Sequence, residues 1–154
     1  MIEVLFYLGS ILLANWLVIQ FGIIKLGFLI FPAGAVAIGL TFSARDFVQR
    51  KYGKWGAWIW MLVATVITII FNRKIALASG TAFLVAEAVD WLIYTISKRS
   101  FSQRIVLSNL LGTPLDSLIF VTLAFGFVWP AIWGQTVIKF ISSILVIPFI
   151  RIRK

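Results

Sequence analysis

Apolar residues form six long runs along this chain, separated by short polar or turn-forming stretches. A helix that crosses a bilayer needs about 20 mainly apolar residues, with a usable range of about 17–25. The pattern therefore predicts an all-α, polytopic membrane protein with both termini in the cytoplasm. The six transmembrane helices are expected at residues 4–21, 26–42, 55–71, 75–96, 105–128 and 132–150, within one integral membrane domain that covers residues 1–154.

Two of these runs leave an alternative open, because one of them could be re-entrant instead of crossing the membrane. The second run contains Pro32 and two glycines, and the third is short. Between them, residues 45–54 form a polar link rich in basic side chains. With six spans, the links expected inside carry many more Lys and Arg residues than the links expected outside, which hold Lys25, Arg73 and Lys74. The positive-inside rule then sets the predicted orientation.

Composition supports a membrane setting. Hydrophobic residues make up 62% of the chain and charged residues 12%, against about half and about a quarter in ordinary soluble domains. The net charge of +9 could indicate nucleic acid binding in a soluble protein. Here the basic residues lie in short clusters between apolar runs, which is typical of topology signals and lipid headgroup contacts. The expected location is the cytoplasmic (inner) membrane, with no nucleic acid partner.

The absence of several residue types and motifs narrows the chemistry. The chain has no cysteine and no histidine, which removes disulfides, thiol chemistry, structural zinc and any histidine proton relay. It also lacks a Walker-type phosphate loop and the HExxH and GxSxG motifs. We therefore expect no enzymatic activity, no cofactor and no metal site.

The acidic residues are few, and their positions are informative. An ionisable side chain at mid-bilayer costs on the order of 2.5–3.5 kcal/mol, so acids in the spans indicate a function. Glu87 and Asp90 share one face of the fourth predicted span because they lie three residues apart. Asp116 lies in the fifth span, in a stripe of small and polar residues that also includes Asn109 and Thr113. If the two stripes face each other, three carboxylates converge on one cavity.

Other polar residues are ambiguous. Asp46 follows Arg45 directly, and the two could simply form a pair at the interface. Buried acids can also pair with a base merely to hold helices together, and Lys139 in the sixth span could neutralise one of them. Trp91 adjoins Asp90 and could stack on a ligand or anchor the helix at the interface. Asn15 in the first span could form an interhelical bond or contact a ligand.

Three ordered segments resemble the VUT family of queuosine-precursor transporters, also described as vitamin uptake transporters. Residues 40–49 (LTFSARDFVQ) resemble the family's second cytoplasmic link, residues 78–90 (ASGTAFLVAEAVD) its fourth span and residues 108–120 (SNLLGTPLDSLIF) its fifth-span signature. The resemblance covers roughly residues 35–126. The chain departs from the family pattern at Arg45, where Thr is frequent, and at Thr113-Pro114, where Gly-Gln is frequent.

This resemblance implies import of a 7-deazaguanine, such as preQ0 or preQ1, for making queuosine. Such a base presents an N1–H and a 2-amino group side by side, and a carboxylate can accept both in a bidentate pair. Glu87 or Asp90 is expected on that edge, with Asp116 as a second contact or proton carrier and Asn109 near the 6-oxo group. The expected substrate-binding residues are Glu87, Asp90, Asp116, Asn109, Thr113, Asp46 and Trp91.

Two other functions stay open at this point. The chain could be the substrate-binding subunit of a larger vitamin or base transporter whose energising subunits are separate chains. It could also be a membrane scaffold that transports nothing. The expected partners are a small deazapurine base and the lipid bilayer, and either a homo-oligomer or an assembly with energising subunits is compatible with the sequence.

Overall fold

A computed structural model describes residues 1–96 and 101–151 of the chain. Five helices and two short strands follow one another in these ranges: α1 (Ile2–Phe21), β1 (Ile23–Leu26), β2 (Leu29–Pro32), α2 (Ala35–Phe71), α3 (Arg73–Ile96), α4 (Phe101–Phe125) and α5 (Trp129–Arg151). The described side chains exclude residues 42, 43, 46, 50, 54, 87, 90, 91, 94, 95, 101, 102, 104–106, 108, 109 and 143–151. The predicted helical character is confirmed, with the strand pair as an addition.

Helix α2 is bent back on itself at Gly53, whose backbone is not helical (φ 73°, ψ −179°). The arm before the bend, residues 35–52, runs antiparallel to α1, since Thr41 bonds to Ser10 and Tyr52 meets the amino group of Met1. The arm after it, residues 54–71, runs back beside α1. The predicted polar link at residues 45–54 is thus helical up to the bend, because the reversal needs a single residue of unusual conformation.

The helices form a closed ring of six segments, with each arm of α2 counted separately. Helix α1 packs between the two arms, and α5 packs against the first arm, where Gly39 approaches Ser142. Helix α4 pairs with both α3 and α5, and α3 returns to the second arm of α2, where Gly80 lies against Thr65. This arrangement encloses a space that is lined by several helices.

The second predicted span differs from the structure. Residues 26–34 are not helical. Strands β1 and β2 form an antiparallel hairpin, in which Ile23 faces Pro32 and Leu26 faces Leu29. The helix begins only at Ala35. Hydropathy suggested a helix because this hairpin is as apolar as a membrane helix. Two local features oppose a helix here: Gly27 adopts a positive φ of 60° in the turn, and the ring of Pro32 removes a backbone hydrogen-bond donor.

Two apolar layers lie inside the ring, one toward each of its two ends. Near the start of α1, one cluster joins α1, both arms of α2 and α3, and contains Val4, Tyr7, Ile11, Ala44, Val48, Met61, Ala64 and Phe83. Near the hairpin, the other joins α1, α3, α4 and α5, and contains Val18, Ile75, Ala78, Ala82, Phe120, Val121, Ala124, Ala131 and Ile132. The hairpin contributes Ile23 and Ile30 to this second layer.

The outer surface of the ring is also apolar. Large hydrophobic side chains such as Phe6 (55% exposed), Ile70 (79%) and Trp55 (80%) point away from the core, so α1 and α2 are apolar on both their packed and their outward faces. By length and composition, α1 (Ile2–Phe21) is the one helix of the described residues that could cross a membrane on its own. Shorter apolar helical stretches lie at Trp55–Phe71 and Leu110–Phe125. The six spans stay a prediction.

The two ends of the ring carry different charged side chains, with an ion pair at one end and exposed basic residues at the other. At the end where α1 begins, the Lys51 ammonium donates to both carboxylate oxygens of Glu3 at 3.0 Å, and this bond raises the pKa of Lys51. The other end holds the hairpin with the exposed Lys25, together with the exposed Arg73 and Lys74 at the start of α3. Helix α5 ends on the same side as α1 begins.

Candidate functional site

A cavity lies inside the ring, between the two apolar layers. Its volume is about 30 Å³. It is therefore a narrow space with room for about one or two waters. The lining comes from α1, both arms of α2, α3 and α4: Ile11, Asn15, Ile38, Thr41, Met61, Thr65, Ser79, Gly80, Phe83 and Asp116.

Asp116 is the charged group among the described residues of this lining, and it is paired with Lys139 from α5. The Lys139 ammonium donates a hydrogen bond to Oδ2 of Asp116. The Lys139 side chain is fully buried, and that of Asp116 is 7% exposed. The ammonium also lies 5.7 Å from the centroid of the Phe120 ring, within cation–π range. The pair links α4 to α5 at the wall of the cavity.

The second carboxylate oxygen of Asp116, Oδ1, makes no hydrogen bond with any described residue. An ionised carboxylate offers about four acceptor positions, and Lys139 occupies one of them on Oδ2. Asp116 therefore holds its neutralising partner on one side and keeps acceptor capacity on the other. A carboxylate in this state can accept N–H groups from a ligand without leaving its ion pair.

The threonine hydroxyls around the cavity use their protons within the protein. Thr65 donates to the Met61 carbonyl at 3.0 Å. Thr41 lies within bonding distance of the Ala37 carbonyl and of Ser10 Oγ, and both are acceptors for it because Ser10 donates its own proton to the Tyr7 carbonyl. A hydroxyl carries one proton, so Thr41 and Thr65 can only accept from a ligand.

Asn15 lies on α1 and is 2% exposed. Its amide nitrogen donates to Oγ1 of Thr68 at 3.1 Å, and Thr68 donates in turn to the Ala64 carbonyl at 2.8 Å. Its amide oxygen, Oδ1, has no hydrogen-bond partner among the described residues. Buried polar atoms without a partner are uncommon in native proteins and call for an explanation.

The predicted site residues fall into two groups. Asp116 lines the cavity, and Thr113 is buried one turn before it on α4. The side chains of the remaining ones lie outside the described part of the structure, so their predicted roles stay predictions: Glu87, Asp90, Trp91, Asn109 and Asp46. Arg45 is buried (3% exposed) on the first arm of α2, and its suggested pairing with Asp46 is equally untested.

Several lining residues were not expected from the sequence. No helical spacing sets Thr41, Thr65 and Ser79 apart, although Thr41 and Ser79 lie in segments that carry the family resemblance. Gln135 on α5 was also not expected, although it does not belong to the lining given above. It is fully buried, and neither of its amide atoms has a partner among the described residues. Its position one turn before Lys139 was a usable signal, because two polar residues at this spacing share a helix face.

Comparisons with known proteins give one positive result. No curated protein and no solved structure matches the chain. A family model described as "Putative vitamin uptake transporter" matches residues 64–152, more than half of the chain. This range includes Asp116 and Lys139 and two of the three segments on which the resemblance rested. The chain belongs to this family of vitamin uptake transporters, which confirms the family predicted from the sequence.

Proposed function

We propose that this protein imports a queuosine precursor, a 7-deazaguanine such as preQ0 or preQ1, across the cytoplasmic membrane. The observation that carries the proposal is a buried carboxylate, Asp116, in a cavity at the centre of a helical ring. A carboxylate accepts the adjacent N1–H and 2-amino groups of such a base in a bidentate pair. Carboxyl groups at membrane depth are costly and mark substrate or ion pathways.

The ring supports alternating access to this cavity. One apolar layer separates the cavity from the end with Lys51, and the other, with the hairpin, separates it from the end with Lys25. In the proposed cycle, a base enters the cavity when one layer opens and leaves it when the other layer opens. The end with Lys51 is the proposed cytoplasmic side.

The proposal is tested in a host that cannot synthesise the precursor. Queuosine is measured in its tRNA after the base is added to the medium, with and without this protein. We expect recovery with the wild type and loss of recovery with Asp116→Asn/Lys139→Met, which removes the charges of both partners together. Recovery that is normal in this variant, and also in Glu87→Ala and Asp90→Ala tested singly, would remove the proposed site.

Two alternatives predict different results in the same host. A substrate-binding subunit would restore queuosine only when separate energising subunits are present. A scaffold would not restore it in any combination. Expression of the protein alone and with candidate energising subunits therefore separates the three functions.

A further inference from the structure

We infer that Asn15 is a substrate-contact residue, and that its amide oxygen accepts an N–H of the transported molecule on the wall of the cavity formed by α1. The inference rests on the proposed function, because it assigns a contact in the same cavity. It goes beyond that function because it names a contact residue other than Glu87, Asp90 and Asp116. It also states that this residue selects ligands with a hydrogen-bond donor at that position.

The orientation of the Asn15 amide follows from counting protons. The single hydroxyl proton of Thr68 is used in its bond to the Ala64 carbonyl at 2.8 Å. Thr68 Oγ1 is therefore an acceptor toward Asn15, at 3.1 Å. The amide of Asn15 must then turn its nitrogen toward Thr68, and its oxygen is the atom left over. This settles the assignment of oxygen and nitrogen, which distance alone does not.

The left-over oxygen is buried and unpaired. Asn15 is 2% exposed, and Oδ1 has no partner in the described part of the chain. Asn15 also lines the cavity that contains Asp116. A buried carbonyl oxygen without a donor is unfavourable, so the site is completed when something with an N–H or O–H group enters the cavity.

Most of the other described polar groups of the lining are also acceptors toward a ligand. Asp116 has acceptor capacity at Oδ1, and the hydroxyl protons of Thr41 and Thr65 are already used within the protein. Ser79 is the exception, since its hydroxyl makes no hydrogen bond with a described residue and can donate. The described part of the lining thus selects a ligand with several N–H donors and at least one acceptor. A flat heterocycle that carries an amide N–H, an amino group and a carbonyl has this pattern.

A double comparison of protein and ligand variants tests this assignment. The ligands are preQ0 (7-cyano-7-deazaguanine) and three analogues that each lack one hydrogen-bond donor: the 2-deamino, the N1-methyl and the N9-methyl compounds. The proteins are the wild type, Asn15→Leu and Thr68→Val, with Thr136→Val as the control. Thr136 also donates to a carbonyl of its own helix, that of Ile132 at 2.8 Å, but it does not line the cavity. Dissociation constants are measured on purified protein.

We expect Asn15→Leu to weaken binding of the parent base roughly tenfold, which corresponds to the loss of one hydrogen bond. One of the three analogues lacks the N–H group that Asn15 accepts. For that analogue, the dissociation constants of the wild type and Asn15→Leu should agree within about twofold. Thr68→Val frees the amide to rotate and should weaken binding of the parent base by a smaller factor. Thr136→Val should bind like the wild type.

Results that contradict the role of Asn15 can be distinguished from results that contradict the proposed substrate. Equal weakening of all four compounds by Asn15→Leu, or no weakening at all, would overturn the role of Asn15 and leave the proposed substrate in place. A wild type that binds none of the four compounds would overturn the proposed substrate and this inference together. If Asn15→Leu does not fold, Thr68→Val decides, since binding of the parent base equal to that of Thr136→Val contradicts the inference.

Discussion

The Asp116–Lys139 pair gives the sharpest prediction on stability. Lys139 is fully buried and its ammonium bonds to Asp116, so removal of one partner leaves an unpaired charge inside the ring. Breaking a buried pair in this way costs about 3–5 kcal/mol. We expect a value near the lower limit, about 3 kcal/mol, for Lys139→Met and for Asp116→Leu, because Asp116 borders a cavity that admits water.

The double variant Asp116→Leu/Lys139→Met should be more stable than either single variant. Replacing both members of a buried pair by apolar side chains of similar size is often neutral or stabilising, since the desolvation cost of both charges disappears. The four proteins form a double-mutant cycle, in which the free energy of unfolding is measured by denaturant titration in detergent micelles. Lys51→Met is the matched control, because Lys51 pairs with Glu3 on the exposed end of the ring, and it should change stability little.

Additive losses of stability would contradict the pairing of Asp116 with Lys139. If the double variant loses as much stability as the two single variants together, the two side chains do not interact in the folded protein. The packing of α4 against α5 would then differ from the structure at the wall of the cavity. Retained stability in Lys139→Met alone would have the same consequence.

Three further predictions concern the backbone and the topology. Gly134→Ala should destabilise the protein by about 1–3 kcal/mol, because the added Cβ would clash with a backbone oxygen of the hairpin, whereas Gly9→Ala, with open space around its Cβ, should not. Gly53→Ala should lower the free energy of unfolding by about 1–3 kcal/mol, since the positive φ and extended ψ of Gly53 are accessible essentially only to glycine. Thermal unfolding of the purified variants measures the effects of Gly134→Ala and Gly53→Ala. The chain has no native cysteine, so Lys25→Cys should react with a membrane-impermeant thiol reagent from outside intact cells, and Lys51→Cys only after permeabilisation. The reverse pattern would invert the proposed orientation.

The sequence predicted most helices correctly, because a long apolar run between polar breaks has few alternatives in a chain this hydrophobic. The hairpin was missed for the same reason. Residues 23–32 are apolar, and hydropathy does not distinguish a buried strand pair from part of a helix. The bend at Gly53 was expected as a polar link, and only the backbone angles show that helix continues up to it.

The candidate site was predictable to a smaller extent. Lys139 was recognised as a base that could neutralise an acid, but the choice of Asp116 depends on the short turn between α4 and α5. The two residues lie at similar distances from that turn along antiparallel helices, which brings them together. The free oxygen of Asn15 could not be predicted, because it depends on which proton Thr68 has already used.

Uptake of radiolabelled 7-cyano-7-deazaguanine into liposomes that contain only this protein tests whether the protein transports the base by itself. We expect saturable uptake with the wild type and background uptake with Asp116→Asn/Lys139→Met when both proteins insert equally. Wild-type liposomes that bind the base without accumulating it inside would contradict a free-standing transporter and favour a substrate-binding subunit. Equal uptake by the two proteins would contradict the assignment of the cavity around Asp116 as the transport site.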